Sequence, residues 1–85
     1  MAETEVGVVS HWYGHLGVAG VTLSAPLRVG DRIHVKGHTS DFEAVVESMQ
    51  IEHEDVQEAD AGASLGINLP DHAREHDRIY KVEDN

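Results

Sequence analysis

The sequence contains no cysteine. That removes a disulfide framework, a thiolate zinc site and a cysteine nucleophile together. Proline occurs only at positions 26 and 70, aromatic residues make up 5% of the chain, and lysine is confined to positions 36 and 81. No apolar run approaches the ~20 residues that cross a bilayer as a helix. The opening Met1-Ala2-Glu3-Thr4-Glu5 is acidic where a secretory signal would be basic. These absences lead to the expectation of a cytoplasmic protein with no membrane partner.

What is present is the composition of a folded globular chain: 85 residues, 40% apolar and 26% charged. Length alone allows one core, so a single domain over 1–85 is expected. The formal charge is −10, which repels phosphate backbones on average. The acids are unevenly spread. Asp41 to Asp60 carries Asp41, Glu43, Glu47, Glu52, Glu54, Asp55, Glu58 and Asp60 with no Lys or Arg, whereas Arg28, Arg32 and Lys36 lie close together just before it. An acidic middle of this kind reads as a solvated face, a docking face for a basic partner, or an adaptation to salt.

The punctuation reads as strands and turns. Val6, Val8 and Val9 around Gly7 form a β-branched run that ends at Tyr13-Gly14, and Leu16 to Leu23 follows after a connection short enough for a hairpin. Gly30-Asp31 is a turn signal, and Ile33 and Val35 alternate with cationic residues in Arg32 to Lys36. Between Phe42 and His53 the apolar parity changes: Phe42, Ala44 and Val46 share one phase, Met49 and Ile51 the other. A continuous strand would turn one set to solvent, so a bulge or bend is expected near Glu47-Ser48. Val56 to Gly62 reads as an acidic loop, and Leu65, Ile67 and Leu69 alternate in a further strand stopped by Pro70. Asp71 to His76 is polar with room for one helical turn, and Arg78 to Val82 is the last strand. No internal repeat stands out. The fold class expected is all-β, a small closed or nearly closed six-stranded, antiparallel-rich barrel over about 5–82, with a short acidic C-terminal tail.

Several of these segments resemble, in order, the second domain of elongation factor Tu and related translation GTPases. They are Leu27-Arg28-Val29-Gly30-Asp31-Arg32-Ile33, Val46-Glu47-Ser48-Met49, Ala59-Asp60-Ala61-Gly62 running into Gly66-Ile67, and the closing Asp77-Arg78-Ile79-Tyr80-Lys81-Val82. The resemblance implies a β-barrel interaction module, elongation factor-like and associated with translation. The closing turn departs from it, with Glu75-His76-Asp77 where glycine is favoured before Asp. No Gly-x-x-x-x-Gly-Lys-Ser/Thr stretch occurs, so this chain alone is expected to bind no nucleotide. Collagenase-like peptidases carry a similar accessory barrel, and an accessory role in such a system is the alternative reading.

Seven histidines raise the question of metal. His11/His15, His34/His38 and His72/His76 are each four apart, a spacing that brings imidazoles together on a helix but leaves them ~13 Å apart on a strand. His72-Ala73-Arg74-Glu75-His76 matches a zinc-peptidase pattern, yet Pro70 and Asp77 leave too little chain for the helix that pattern needs. Gly-x-Ser-x-Gly is absent. No catalytic residue, metal site or cofactor is therefore assigned, and the chain is read as a non-enzyme. For a protein partner the candidate residues are Trp12 and Tyr13 at the hairpin tip with the acids Glu52, Glu54 and Asp55. Trp12 can equally cap an open end of the small core. For RNA, including transfer RNA, the candidates are Arg28, Arg32 and Lys36.

Overall fold

The computed structural model describes residues 2–83. Of the acidic tail expected after residue 82, Glu83 continues the last strand, and positions 84 and 85 lie outside the described residues. Ten strands follow one another: β1 (Ala2–Tyr13), β2 (Val18–Leu23), β3 (Leu27–Arg28), β4 (Arg32–Lys36), β5 (Asp41–Val45), β6 (Met49–Ile51), β7 (Glu54–Val56), β8 (Glu58–Ala59), β9 (Ser64–Asn68) and β10 (Arg78–Glu83). Among the described residues no helix is long and apolar enough to cross a membrane.

All pairings are antiparallel. Eight strands form one sheet in the order β5-β4-β10-β1-β2-β9-β6-β7, and β3 and β8 form a separate ribbon. The all-β, antiparallel class expected from the sequence holds, but the closed or nearly closed six-stranded barrel is corrected: among the described residues there are ten strands, and the ends of the main sheet, β5 and β7, do not pair with each other. The space between them is taken by the ribbon and by single hydrogen bonds. Val46 donates its N–H to the Asp31 carbonyl at 2.8 Å and accepts from Gly30 at 2.8 Å, while Val29 donates to the Gln57 carbonyl at 2.9 Å. The acidic loop expected over 56–62 supplies the ribbon's second strand, and its Ala59 is buried with Leu27 in the core.

The core follows the alternation. Ile33 and Val35 on β4, Leu65 and Ile67 on β9, and Ile79 on β10 all point inward and are buried. Each fully buried aliphatic side chain contributes about 1.5–3 kcal/mol. The phase change after Val46 is real. Val46 and Met49 are both buried, the chain leaves extended pairing over 46–48, and this corner carries it from β5 at one end of the sheet to β6 near the other. On β1 the register shifts between Glu5 and Gly7 against β10, and between Val9 and His11 against β2. These bulges let Val6 and Val9 both face the core despite their odd spacing.

A short repeat does exist. Leu27-Arg28-Val29-Gly30-Asp31-Arg32-Ile33 and Ala73-Arg74-Glu75-His76-Asp77-Arg78-Ile79 share Arg-x-x-Asp-Arg-Ile. In each, the Asp side chain accepts from the Arg backbone N–H three residues earlier at 2.9 Å, and the Asp N–H donates to that Arg's carbonyl at 3.1 Å. Leu27 and Ala73, like Ile33 and Ile79, are fully buried. The strands that follow pair with each other, with His34 opposite Tyr80, so the two copies meet across a local two-fold. No helical turn occupies 71–76, because His76 takes a φ of 73° where its counterpart Gly30 takes 97°.

A side chain bearing a Cβ is strained in that left-handed region, and glycine is not. His76→Gly is expected to raise the unfolding free energy by about 1 kcal/mol, and Gly30→Ala to lower it by about the same amount. Urea unfolding measures both; curves that coincide with the parent's would mean that these turns hold no strain.

Candidate functional site

Consecutive strand residues point to opposite faces, and this separates the two aromatic candidates. Trp12 is half-buried and packs against the core, with the His72 ring 5.3 Å away; it caps the sheet. Tyr13 is 48% exposed on the outer face. Its ring lies over Gly20, where a Cβ would come within 3.5 Å of Tyr13 Cε2, and 4.4 Å from the His11 ring.

The acidic candidates sit on the β6–β7 hairpin. Glu52 and His53 form its two-residue turn with φ of 50° and 68°, the backbone that Asn-Gly usually supplies. Gln50 lies opposite Asp55 and donates to it at 3.0 Å, while Ile51 lies opposite Glu54. Directly opposed residues share a face. Asp55 therefore sides with Gln50 on the outer face and Glu54 with Ile51 on the other.

The basic candidates are dispersed. Arg28 is on the β3–β8 ribbon, 3.3 Å from Glu58. Arg32 and Lys36 stand at opposite ends of β4. Lys36 lies 3.2 Å from Glu3 and over the Tyr80 ring at 5.3 Å. Arg78 with Glu5 at 2.9 Å and Lys81 with Asp31 at 3.6 Å complete a set of cross-strand ion pairs.

Among the described residues, no three His, Asp or Glu side chains converge as a metal site. His11 lies 3.7 Å from Glu75. His34 is held between two carboxylates: Nδ1 to Glu3 at 2.8 Å, and Nε2 to Asp41. Both ring nitrogens can donate only in the imidazolium form. The hydrogen bonds to Glu3 and then Asp41 raise the His34 pKa above its ordinary 6.5, against the opposing effect of burial. Reciprocally, the His34 hydrogen bond, with help from Lys36, lowers Glu3 below 4.5. This cluster ties β1, β4 and β5 together across the sheet. Its polarity favours charge on both partners and offers no poised proton acceptor.

On the outer face beside Tyr13 lies a depression of about 440 Å³, floored by Gly20 and Gly66, which are direct register partners on β2 and β9. Leu16 and Glu52 stand on its walls. Leu16 also borders a second depression of about 330 Å³ with Val45 and Glu47. Sequence reasoning missed Leu16 and Val45 entirely. The tight turn brings the first to the surface, and the second lies at the sheet's unpaired end, so no local pattern marks them.

No protein-family model matches the chain. A curated protein of Methanocaldococcus jannaschii, named an uncharacterized protease, is 40% identical over 83 residues, which is 96% of this chain and 20% of that protein. The chain thus spans about a fifth of the length of the curated relative it matches. Two solved structures share the fold, both of the C-terminal domain of a Geobacillus thermoleovorans "putative U32 peptidase". One has a TM-score of 0.86 at 18% identity, covering 92% of this chain and 91% of that one. The selenomethionine form has a TM-score of 0.85 at 18% identity, covering 89% and 96%.

These likenesses correct the elongation factor resemblance and the translation role drawn from it. The segments that carried it are largely turn and corner chemistry: an Asp closing a turn before a strand, and a kinked strand at 46–48. Turn and corner features of this kind position strands and do not by themselves assign a function.

The His34 cluster generates a pH prediction with a definite sign. Because its folded pKa is raised, the His34 contribution is complete below 6.5 and is lost as pH rises through the folded value. The Glu3 contribution is complete above 4.5 and is lost as pH falls through its lowered value. The difference in melting temperature between the parent and His34→Gln should therefore be largest between these limits and shrink towards alkaline pH. A gap that stays constant up to pH ~9, well past the ordinary histidine range, would remove the imidazolium from this cluster.

Proposed function

We propose that this chain is a non-catalytic accessory domain of a collagenase-like, U32-type peptidase system, working by binding rather than by bond cleavage. The observation that carries the reading is the 40% identity along 83 residues to one fifth of a protein named as a protease. A relative several times longer has ample room for a catalytic unit elsewhere. The fold shared with the C-terminal domain of a named peptidase supports the same reading. So does the local chemistry: the groups whose protonation is displaced, Glu3, His34 and Arg78, are all partners in surface ion pairs. RNA contact is a weaker reading, since Arg28 and Lys36 each face a carboxylate that would compete with phosphate.

The test has two arms. The purified chain alone is expected to leave gelatin and casein intact, and to co-elute on size exclusion with a U32-type peptidase chain from the same organism. Cleavage that tracks the purified chain would overturn the non-catalytic half of the proposal. Elution of the two proteins as separate peaks at micromolar concentrations, typical of functional association, would overturn the accessory half.

A further inference from the structure

Three large apolar side chains are exposed among the described residues: Tyr13 at 48%, Leu16 at 71% and Val45 at 52%. Single exposed apolar residues are ordinary, but contiguous ones mark an interaction surface. These three are not scattered. All of them line the two adjoining depressions, and Leu16 is the ridge shared by both. The clustering comes from three different elements: the end of β1, the turn before β2, and the end of β5.

The larger depression has a bare floor. Gly20 and Gly66 face each other across β2 and β9, and Gln50 of β6 lies opposite Gly66 on its other side. A side chain at Gly66 would come within 3.1 Å of Val18 Cγ1, and one at Gly20 within 3.2 Å of Ser10 Oγ. The two glycines thus keep the sheet surface open between apolar walls, so an incoming chain can approach the backbone closely. The charged groups on these walls have one sign. Glu47 borders the smaller depression and Glu52 the larger, and no Lys or Arg lines either. Asp55 adds to the same face through its bond to Gln50.

We infer that this groove is a docking site for an extended peptide segment of a partner protein, one that carries aliphatic side chains flanked by Lys or Arg. The aliphatic groups pack on Tyr13, Leu16 and Val45, and the flanking cations meet Glu47 and Glu52. The inference rests on the reading of this chain as a binding module and names the chemistry of what it binds. It retains Tyr13, Glu52 and Asp55 from the sequence candidates, and leaves out Trp12 and Glu54, which face the other way.

The test titrates the isotope-labelled 85-residue chain with three short synthetic peptides and follows amide shifts. One peptide has leucines flanked by lysines, one has glycines in place of the leucines, and one has glutamates in place of the lysines. The first is expected to bind at least about tenfold more tightly than the others, with shifts centred on Tyr13, Leu16, Gly20 and Gly66. Leu16→Ser, at an exposed turn position, should weaken it about tenfold without changing the fold, and Glu52→Lys should do the same. Equal binding of the glycine peptide, shifts centred elsewhere, or no binding would overturn the inference. Concentration-dependent dimers dispersed by Leu16→Ser would instead assign the groove to a second copy, and would equally overturn it. Peptide binding without a peptidase complex would leave the groove standing and remove the peptidase reading. A peptidase complex indifferent to Leu16→Ser would do the reverse.

Discussion

The last strand holds the sheet together. β10 lies between β1 and β4, so that Ile79 pairs with Gly7 on one side and Val35 on the other. Without it the main sheet would be two separate pieces, β5-β4 and β1-β2-β9-β6-β7. The chain must therefore close its longest loops before its core is complete, a topology that favours slow folding. The repeated Arg-x-x-Asp turn bears on this. It launches β4 and β10 from equivalent corners, and the two strands then bury Ile33 and Ile79 in the same core. The cluster of Glu3, His34 and Asp41 fastens the adjoining strands on the outside of that seam.

Much of this was legible in the residues. Alternation placed Ile33, Val35, Leu65 and Ile67 inside, and the change of apolar phase after Val46 marked the corner at 46–48. Those signals are local: a period of two and a turn residue describe themselves within a few positions. The degree of closure is different. Whether β5 meets β7 depends on how eight strands twist and tilt together, and no short stretch of sequence records that. The Asp71–His76 segment was unreadable for another reason. Its turn is the same device as Arg28–Asp31, but His76 stands where glycine would have signalled it.

The surface was harder to read than the core. Trp12 and Tyr13 are adjacent in sequence and were natural partners for one role, yet strand geometry sends one into the packed cap and the other to the outer groove. Glu52, Glu54 and Asp55 form one acidic cluster on paper, and the hairpin divides them between two faces. Leu16 and Val45 gave no signal, since a leucine in a turn and a valine in a short strand are commonplace. Only the three-dimensional arrangement makes them neighbours across the two depressions.

Charge links the fold to the groove. A formal charge of −10 looks like a uniform property of the chain, but the cations are not uniformly placed. Lys36, Arg78 and Lys81 each lie against a carboxylate around β4, β10 and β1, on the other side of the sheet order from β9 and β6, and Arg28 does so on the separate β3–β8 ribbon. Acids without basic residues between them are left on the corner before β6 and on the β6–β7 hairpin, at Glu47, Glu52, Glu54 and Asp55. Ion pairs of this exposed kind add little stability. Their larger effect is on the shape of the field: they quiet one part of the surface, while Glu47 and Glu52 near the bare glycine floor have no Lys or Arg among the residues lining the depressions. An apolar strip beside such a field discriminates in two ways at once, because a segment lacking aliphatic groups gains no burial and one carrying acids in place of cations meets repulsion.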